Sequence, residues 1–481
     1  MLKEGTLGLL AAGLGMADYR NILEVRSQRI LAAIGSTTDR EKATPFLEDI
    51  IRYVVAAFEG EATFQEGVQS FKPLVPILNG PLSYEIATEL DYRLRLLAEY
   101  QLPVFERIFG FLTSGLNTLT SATLRRHHIS FIKLVNENPN QGVVTLSRQL
   151  KVSPRTVRKN QQNLSNQYGL RIAGILDVPR FGLSHFGVHF RTRGIDYAYN
   201  FEKWVRNPSN ALELSPFLLG YGINPNHFDG YCSFFVPDRI HSLKRMERKL
   251  KWLEQEFFES MTILKIMGTF SNVSFDSYDY VSQSWSISAD LSTEGTLSFI
   301  KERGPQFSLP RGVHYSTKIS RFHEVDWLLA LMYCTGFLQK AERVTTLARY
   351  GFPLAEKTVW AHERRLIRSR TLLPTIMFSN LAFEDIICII IQCEEQLVAN
   401  LVQVVIQYAY SRIHPTNEGV IFFIGVPTGG SGLINHLTRT LVQEIGIHQF
   451  TVLRLKQDLP QMPSLKTYAL WDNESQQWKG E

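Results

Sequence analysis

Apolar residues fall at Ile129, Ile132, Leu134 and Val135, the spacing that gives a helix over Arg125–Asn136 one buried face. A short helix is predicted at Val144–Leu150 and a third over Arg155–Tyr168, entered through Ser153, a good cap, and Pro154, whose missing N–H is not needed in a first turn. The pattern then changes to strand-like runs. RIAGILDV is read as one strand of a hairpin wing and HFGVHFR as the next strand. A helix around Tyr197–Arg206, strands ALELSPFLLGY and GYCSFFVP, a helix over Ile240–Glu259 and strand MTILKIMG complete the series. Three helices and a wing are thus followed by β-α-β-β-α-β, an order that builds an antiparallel sheet with both helices on one face.

The order occurs twice. TVRKNQQNL (Thr156–Leu164) aligns with TVWAHERRL (Thr358–Leu366), and HFGVHFR with IICIIIQ. CSFFVPD aligns with FFIGVPT through Val236-Pro237 and Val426-Pro427, and DYVSQSW (Asp279–Trp285) with DNESQQW (Asp472–Trp478). Four matches in one order indicate a tandem duplication. The second copy reads as helices Glu324–Met332 and Glu356–Arg368, strand FEDIICIIIQ and helix Glu395–Val402. Strands VVIQYAYSRI and VIFFIGVP, helix Gly432–Glu444 and strand FTVLRLK follow.

The expected fold class is α+β, with two winged helix-turn-helix domains and two ferredoxin-like domains after an all-α N-terminal region. The boundaries are a helical region at 1–121, a first winged helix-turn-helix at 122–180 and a first sheet domain at 181–285. A connector at 286–320, a second, degenerate winged helix-turn-helix at 321–378 and a second sheet domain at 379–481 follow. The leading helices are YRNILEVRSQRILAAI, TPFLEDIIRYVVAAF, YEIATELDYRLRLLAEY and PVFERIFGFL, with acids too frequent for a nucleic-acid surface.

At 481 residues, with 44% hydrophobic and 20% charged residues, the chain suits a multidomain globular protein. Its net charge of +5 is mild, so the location of the charge decides what it binds. Thr145–Arg171 carries six basic residues and no acid. If Val157 and Leu164 face inward with Gln161 between them, Arg155, Thr156, Arg158, Lys159, Gln162 and Asn163 face outward. Arg can fork onto guanine and Gln or Asn onto adenine, while Lys, Thr and Ser suit phosphates. Arg148 and Arg171, with Ser153 at the cap, extend the footprint. In the second copy Ala355 stands where Ser153 falls and Trp360 where Arg158 does. Glu342, Glu356 and Glu363 offset Arg343, Lys357, Arg364, Arg365 and Arg368. A structural copy and a second reader through Lys357, Thr358, Arg364 and Arg365 are both open.

LSRQLKVSPRTVRKNQQNL followed by a β-α-β-β-α-β module with VPD closing its third strand resembles the leucine-responsive/asparagine regulator (Lrp/AsnC) family. The likeness runs over roughly Leu124–Trp285 and more faintly over Phe322–Trp478. It implies a transcriptional regulator that binds double-stranded DNA and pairs its sheet modules, often called RAM domains. It also implies a small-molecule effector such as an amino acid. Asp229, in HFDG, matches the acidic turn at the family's effector pocket, although Asp-Gly is also a common hairpin signal. The glycine-rich loop with Gly429, Gly430, Ser431 and Gly432 is a second anion candidate, against its reading as a plain strand-to-helix turn.

No HExxH, GxGxxG or coherent nucleophile–base pair is present, so no enzyme, cofactor or metal is expected. His127 and His128 read as solvated or phosphate-facing. Cys232, Cys334, Cys388 and Cys393 lack metal spacing and suit a reducing cytoplasm. No apolar run is long enough to span a membrane, and GTLGLLAAGLGMA reads as a buried first helix. Both strand sets are apolar, and IICIII is apolar on both faces, so the two sheets are expected to pack together as a pseudodimer within one chain. Association beyond that unit is open. The alternative is an interaction or sensor protein whose winged helices bind protein, and a third class is an enzyme using the GGSG loop.

Overall fold

The computed structural model describes residues 16–34, 37–59, 124–206, 218–223, 229–275, 278–279, 284–285, 310–336, 340–378, 385–406, 410–426, 449–455 and 465–479, with isolated positions at 109, 112, 113, 116 and 338. Eleven helices and antiparallel sheets lie among them, an α+β fold. Two of the four leading helices fall there, α1 (Met16–Ala33) and α2 (Thr37–Glu59), with Pro45 inside the latter. The other two lie largely outside the described residues, as does most of GTLGLLAAGLGMA. Phe109, Leu112 and Leu116 belong to the core that also holds Leu23, Phe46 and Ile50.

The first helix-turn-helix comprises α3 (Arg126–Glu137), α4 (Val143–Leu150) and α5 (Pro154–Tyr168), followed by β1 (Arg171–Leu176). The first sheet domain follows as β2 (Leu183–Thr192), α6 (Ile195–Arg206), β3 (Leu218–Ile223), β4 (Asp229–Pro237), α7 (Ile240–Phe257) and β5 (Phe258–Ile266). After Met267 the chain continues as β6 (Gly268–Val273) and a two-strand hairpin, β7 (Tyr278–Asp279) with β8 (Ser284–Trp285). Within the connector, β9 (Gly312–His314) pairs with β6, and residues 286–309 lie outside the described set.

The second unit repeats the order: α8 (Glu324–Thr335), α9 (Lys340–Arg349), α10 (Glu356–Arg368) and β10 (Leu372–Met377). Its sheet domain is β11 (Asp385–Gln392), α11 (Glu395–Val405), β12 (Tyr410–Thr416), β13 (Gly419–Val426) and β14 (Gln449–Leu455). A closing hairpin joins β15 (Trp471–Asp472) to β16 (Gln477–Trp478). VVIQYAYSRI is therefore not one strand, since its first two residues end α11; among the described residues the strand that follows is β12 from Tyr410. The run predicted for Gly432–Glu444 lies outside the described residues.

Both sheet domains have the ferredoxin-like strand order, β5-β2-β4-β3 and β14-β11-β13-β12. They meet edge to edge, because β12 pairs with Ile266 at the end of β5 and with Phe270–Val273 of β6. One continuous segment of the first copy, β5 through β6, thus serves its own sheet and then the other copy's. The joined sheet also turns its faces together. Tyr231, Leu264 and Ile266 from one copy share a core with Cys388, Ile390, Ile421 and Leu453 from the other. Alternation along β2 explains both layers: Phe186, Val188 and Phe190 point to Phe201, Leu250 and Leu253 on the helices, leaving His185, Gly187 and His189 on the seam. A Cβ at Gly187 would stand 2.6 Å from the Tyr231 hydroxyl and 3.1 Å from Ile421 Cδ1, so glycine permits the close approach.

The expected wings take a different form. Among the described residues β1 forms no hairpin of its own but pairs antiparallel with β10 along Arg171–Leu176 and Leu372–Met377. The pairing interlocks the copies. Leu176 and Val178 enter the core around α8, while Ile376 enters the core of the first helix-turn-helix. Two polar clamps fix the two units. Arg311 donates to Pro374 O and Glu137 O, both at 2.7 Å, and the Tyr333 hydroxyl donates to Asn140 Oδ1 at 3.0 Å. The aligned hairpins do parallel work: Tyr278 seals the first core, and Trp471 and Trp478 pack on Phe322 and Trp327 in the second.

Candidate nucleic-acid interface

The third helix of the first unit is shaped by its ends. Ser153 has extended backbone, and its Oγ accepts from Thr156 N at 3.1 Å; Pro154 opens the helix. Gly169, in the left-handed conformation at φ 60°, closes it by donating to Leu164 O. Val157, Asn160, Leu164 and Tyr168 are buried. The inward polar residue is therefore Asn160, one position before the expected Gln161, which is exposed. A straight helix turns about 100° per residue, so an i, i+3, i+7 stripe passes through Asn160.

Arg155, Thr156, Arg158, Lys159 and Gln162 are exposed, as is Arg148 on α4; Asn163 is half-buried. Among the described residues no acid lies within ion-pair distance of Arg148, Arg155, Arg158 or Lys159. The result is a protruding cationic face with amide and hydroxyl groups interspersed, the chemistry that meets phosphates and base edges. Ser153 acts as the cap. Arg171 is half-buried at the start of β1, opposite Met377, and so lies in the inter-copy ribbon rather than on a wing.

The second unit uses its cations differently. Arg343 and Glu363 form a buried pair at 2.6 Å, with Arg343 also donating to Leu338 O and lying over the Tyr333 ring. Asp326 is fully buried at the start of α8, accepting from His323 N at 2.8 Å and contacting His362 Nδ1 at 2.7 Å and the Arg365 guanidinium. Burial pushes its carboxyl up, but the bonds from His362, His323 and Arg365 outweigh it and leave the pKa below its ordinary value. Arg364 is exposed with its Nε turned onto Trp360 O at 3.2 Å. Lys357 and Thr358 are exposed, and Ala355 gives no side-chain cap.

His128 departs from the solvated reading. It is buried, accepts from Arg125 N through Nδ1, and burial with the charges of His127 and Arg125 holds its pKa at about 4. Asp238 Oδ1, in the turn before α7, accepts from Ser184 Oγ at 3.0 Å. Asp229 pairs with Arg191 at 3.3 Å, across the register that joins β2 and β4. The other effector candidates, Gly429, Gly430, Ser431 and Gly432, lie outside the described residues, as does His227.

A second polar cluster, without a sequence motif, sits on the seam between the sheets. His185 shares hydrogen bonds with Ser233 Oγ at 2.7 Å and the Tyr315 hydroxyl at 2.8 Å. Tyr315 continues to Thr269 Oγ1 at 3.0 Å, and Thr269 to His414 Nδ1 at 3.1 Å. Burial keeps His185 well below the usual histidine range and His414 at about 3, so both are neutral at pH 7. Such a row can relay a proton, and it also ties the connector to both sheets. The four free cysteines are buried, and burial raises their thiol pKa values, so none is primed as a nucleophile. Among the described residues no group of three His, Cys, Asp or Glu could hold a metal, and no helix is long and apolar enough to cross a membrane.

No protein-family model and no curated protein matches the chain. Among solved structures, the siroheme decarboxylase NirDL matches at 12% identity over 69% of this chain and 91% of its own, with a TM-score of 0.39. NirDL in complex with an iron-uroporphyrin III analogue matches at 12% identity over 71% and 95%, with a TM-score of 0.40. The transcriptional regulator NMB0573 from Neisseria meningitidis, in complex with L-Met, matches at 18% identity over 30% of this chain and 90% of its own, with a TM-score of 0.23. A regulator and an enzyme therefore both stand among the matched structures. The expectation that the chain is not an enzyme is corrected by NirDL. At these identities and scores the likeness assigns neither reaction nor ligand.

Proposed function

We propose that the chain is a DNA-binding regulator that holds duplex DNA through α5, with α10 serving chiefly as a structural counterpart. The observation that carries this reading is the exposed, acid-free face of Arg148, Arg155, Arg158 and Lys159 on a capped helix. Gln162 and Asn163 supply base-reading amides beside it. Because α10 carries Trp360 where α5 carries Arg158, and Arg343 of α9 and Arg365 are held by Glu363 and Asp326, the two units present unequal cationic faces and the operator is asymmetric rather than palindromic. An amino acid or similar effector, suggested by the family resemblance, belongs to the same proposal. A thermal shift across the twenty amino acids tests it, and no shift removes it.

The test of DNA binding is selection of bound genomic fragments, then titration against salt. Binding through phosphates gives a log–log slope of about −0.9 per contact. Duplex binding no stronger than a heparin-competed background at low salt would transfer the helix-turn-helix units to a protein partner.

A further inference from the structure

The helices covering the outer side of the first sheet domain present a second cationic surface. α7 buries Leu250, Leu253 and Phe257 and exposes His241, Lys244, Arg248 and Lys251 along one line. Lys244, Arg245, Arg248, Lys249 and Lys251 occupy the first two thirds of the helix, with Glu247 the one acid among them; Glu254 and Glu256 come last. This is the reverse of the order a helix dipole favours, which sets acids near the N-terminus and bases near the C-terminus. Helix stability therefore does not explain the arrangement. Glu247 takes Lys251 at 2.9 Å, whereas among the described residues no acid lies within ion-pair distance of Lys244 or Arg248.

Apolar surface adjoins the cations. Ile240 is 74% exposed and Tyr199, on α6, 67%. Trp252 is 40% exposed, with Lys249 Nζ over its ring at 5.6 Å and the Trp204 ring at 5.6 Å. Uncommitted cations beside exposed aromatics fit a nucleic-acid backbone, where ammonium and guanidinium groups meet phosphates and the rings lie against sugars. We infer that the α6–α7 face is a second, sequence-independent DNA contact, with Lys244 and Arg248 as its phosphate ligands. This rests on the DNA-binding reading and extends it from the helix-turn-helix to the sheet domain.

The experiment uses the full chain, a fluorescein-labelled random-sequence 60-base-pair duplex and anisotropy at increasing KCl. Both residues are exposed, so K244A/R248A leaves the fold intact by thermal melt. Its salt slope is expected to fall in magnitude by about 1.8, at about 0.9 per phosphate, while R155A/R158A retains that component. An unchanged slope in K244A/R248A beside a changed one in R155A/R158A overturns this inference and leaves the α5 reading standing. Loss confined to K244A/R248A supports this face and removes α5. No duplex binding by the unaltered chain removes both. Co-sedimentation with phosphatidylserine vesicles that depends on Lys244 and Arg248, with the DNA slope unchanged, would reassign the face to a lipid surface.

Discussion

Position for position along the duplication, Gln161 of the first unit corresponds to Glu363 of the second, Arg158 to Trp360 and Ser153 to Ala355. The helix starts correspond too: Arg125 and His128 form the capping arrangement of α3, His323 and Asp326 that of α8. One backbone plan has thus been given two charge economies. In the first unit the charged side chains of the third helix are exposed, and the core is closed by apolar residues, with the uncharged Asn160 the buried polar group of that helix. In the second, acids have moved inward and hold the arginines, and α8 is buried over nearly its whole length. On the proposed reading the first helix-turn-helix is a reading head and the second a scaffold, and the difference between them in the structure is where the carboxylates sit.

The sharpest way to break that contrast is to remove an inward acid. Glu363→Ala leaves Arg343 buried without its counter-charge, and the expected loss is about 3–5 kcal/mol of unfolding free energy. The equivalent Gln161→Ala touches an exposed position and should stay within about 0.5 kcal/mol. Chemical denaturation of both variants checks the pair. Equal, small losses would mean that the buried Arg343–Glu363 bridge does not distinguish the units.

Function should divide the other way. Arg155→Ala and Arg158→Ala are each expected to cost about 1–3 kcal/mol in DNA affinity if they contact bases. Arg364→Ala and Arg365→Ala should cost less than about 0.5 kcal/mol, since those side chains are committed to Trp360 O and Asp326. Anisotropy on a selected operator measures all four. A loss at Arg364 matching that at Arg158 would make α10 a second reader.

Acid should also separate the units. His128 must stay neutral to accept from Arg125 N, and its pKa in the fold, about 4, lies below the ordinary 6.5. The unfolded chain therefore binds the extra proton first, and the first unit loses stability as pH falls from about 6.5 toward 4. Asp326 runs on a lower range. Its folded pKa is depressed below 3.8, so its contribution is present above that value and is lost only as pH falls through the depressed one. Hydrogen exchange at pH 7 and pH 5, corrected for intrinsic rates, should show α3 loosening while α8 holds. Loosening of α8 first would reverse the assignment.

Much of this was legible before the structure. The period-3.6 and period-2 runs located the helices and strands, the Ser-Pro cap located α5, and the repeated strings located the second copy. Three features were not legible for definite reasons. The β1–β10 ribbon joins strands some 200 residues apart, and nothing local in RIAGILDV distinguishes an inter-copy partner from a hairpin one. Asn160 and Gln161 are adjacent amides, and an uncertainty of one residue in helix phase exchanges them. The His185–His414 row draws its members from four separate segments, so no spacing announces it. The helix read at Glu324–Met332 is present as α8, which the structure shows buried from Val325 to Thr335.

The caps offer the finest test. Ser153 and Ala355 have nearly the same backbone, φ −68° and ψ 152° against φ −63° and ψ 145°. Removing the first cap by Ser153→Ala frees Thr156 N and should cost about 1 kcal/mol. Ala355→Ser would place an oxygen where Thr358 N can reach it, but that N–H already bonds Ala355 O at 2.9 Å, so the gain should be smaller, about 0.5 kcal/mol. Thermal melts of the two variants read both signs. If Ala355→Ser stabilises without changing DNA affinity, the second unit accepts a better helix start and still does not read DNA. The inward carboxylates, rather than a weak cap, would then be what keeps α10 off the operator.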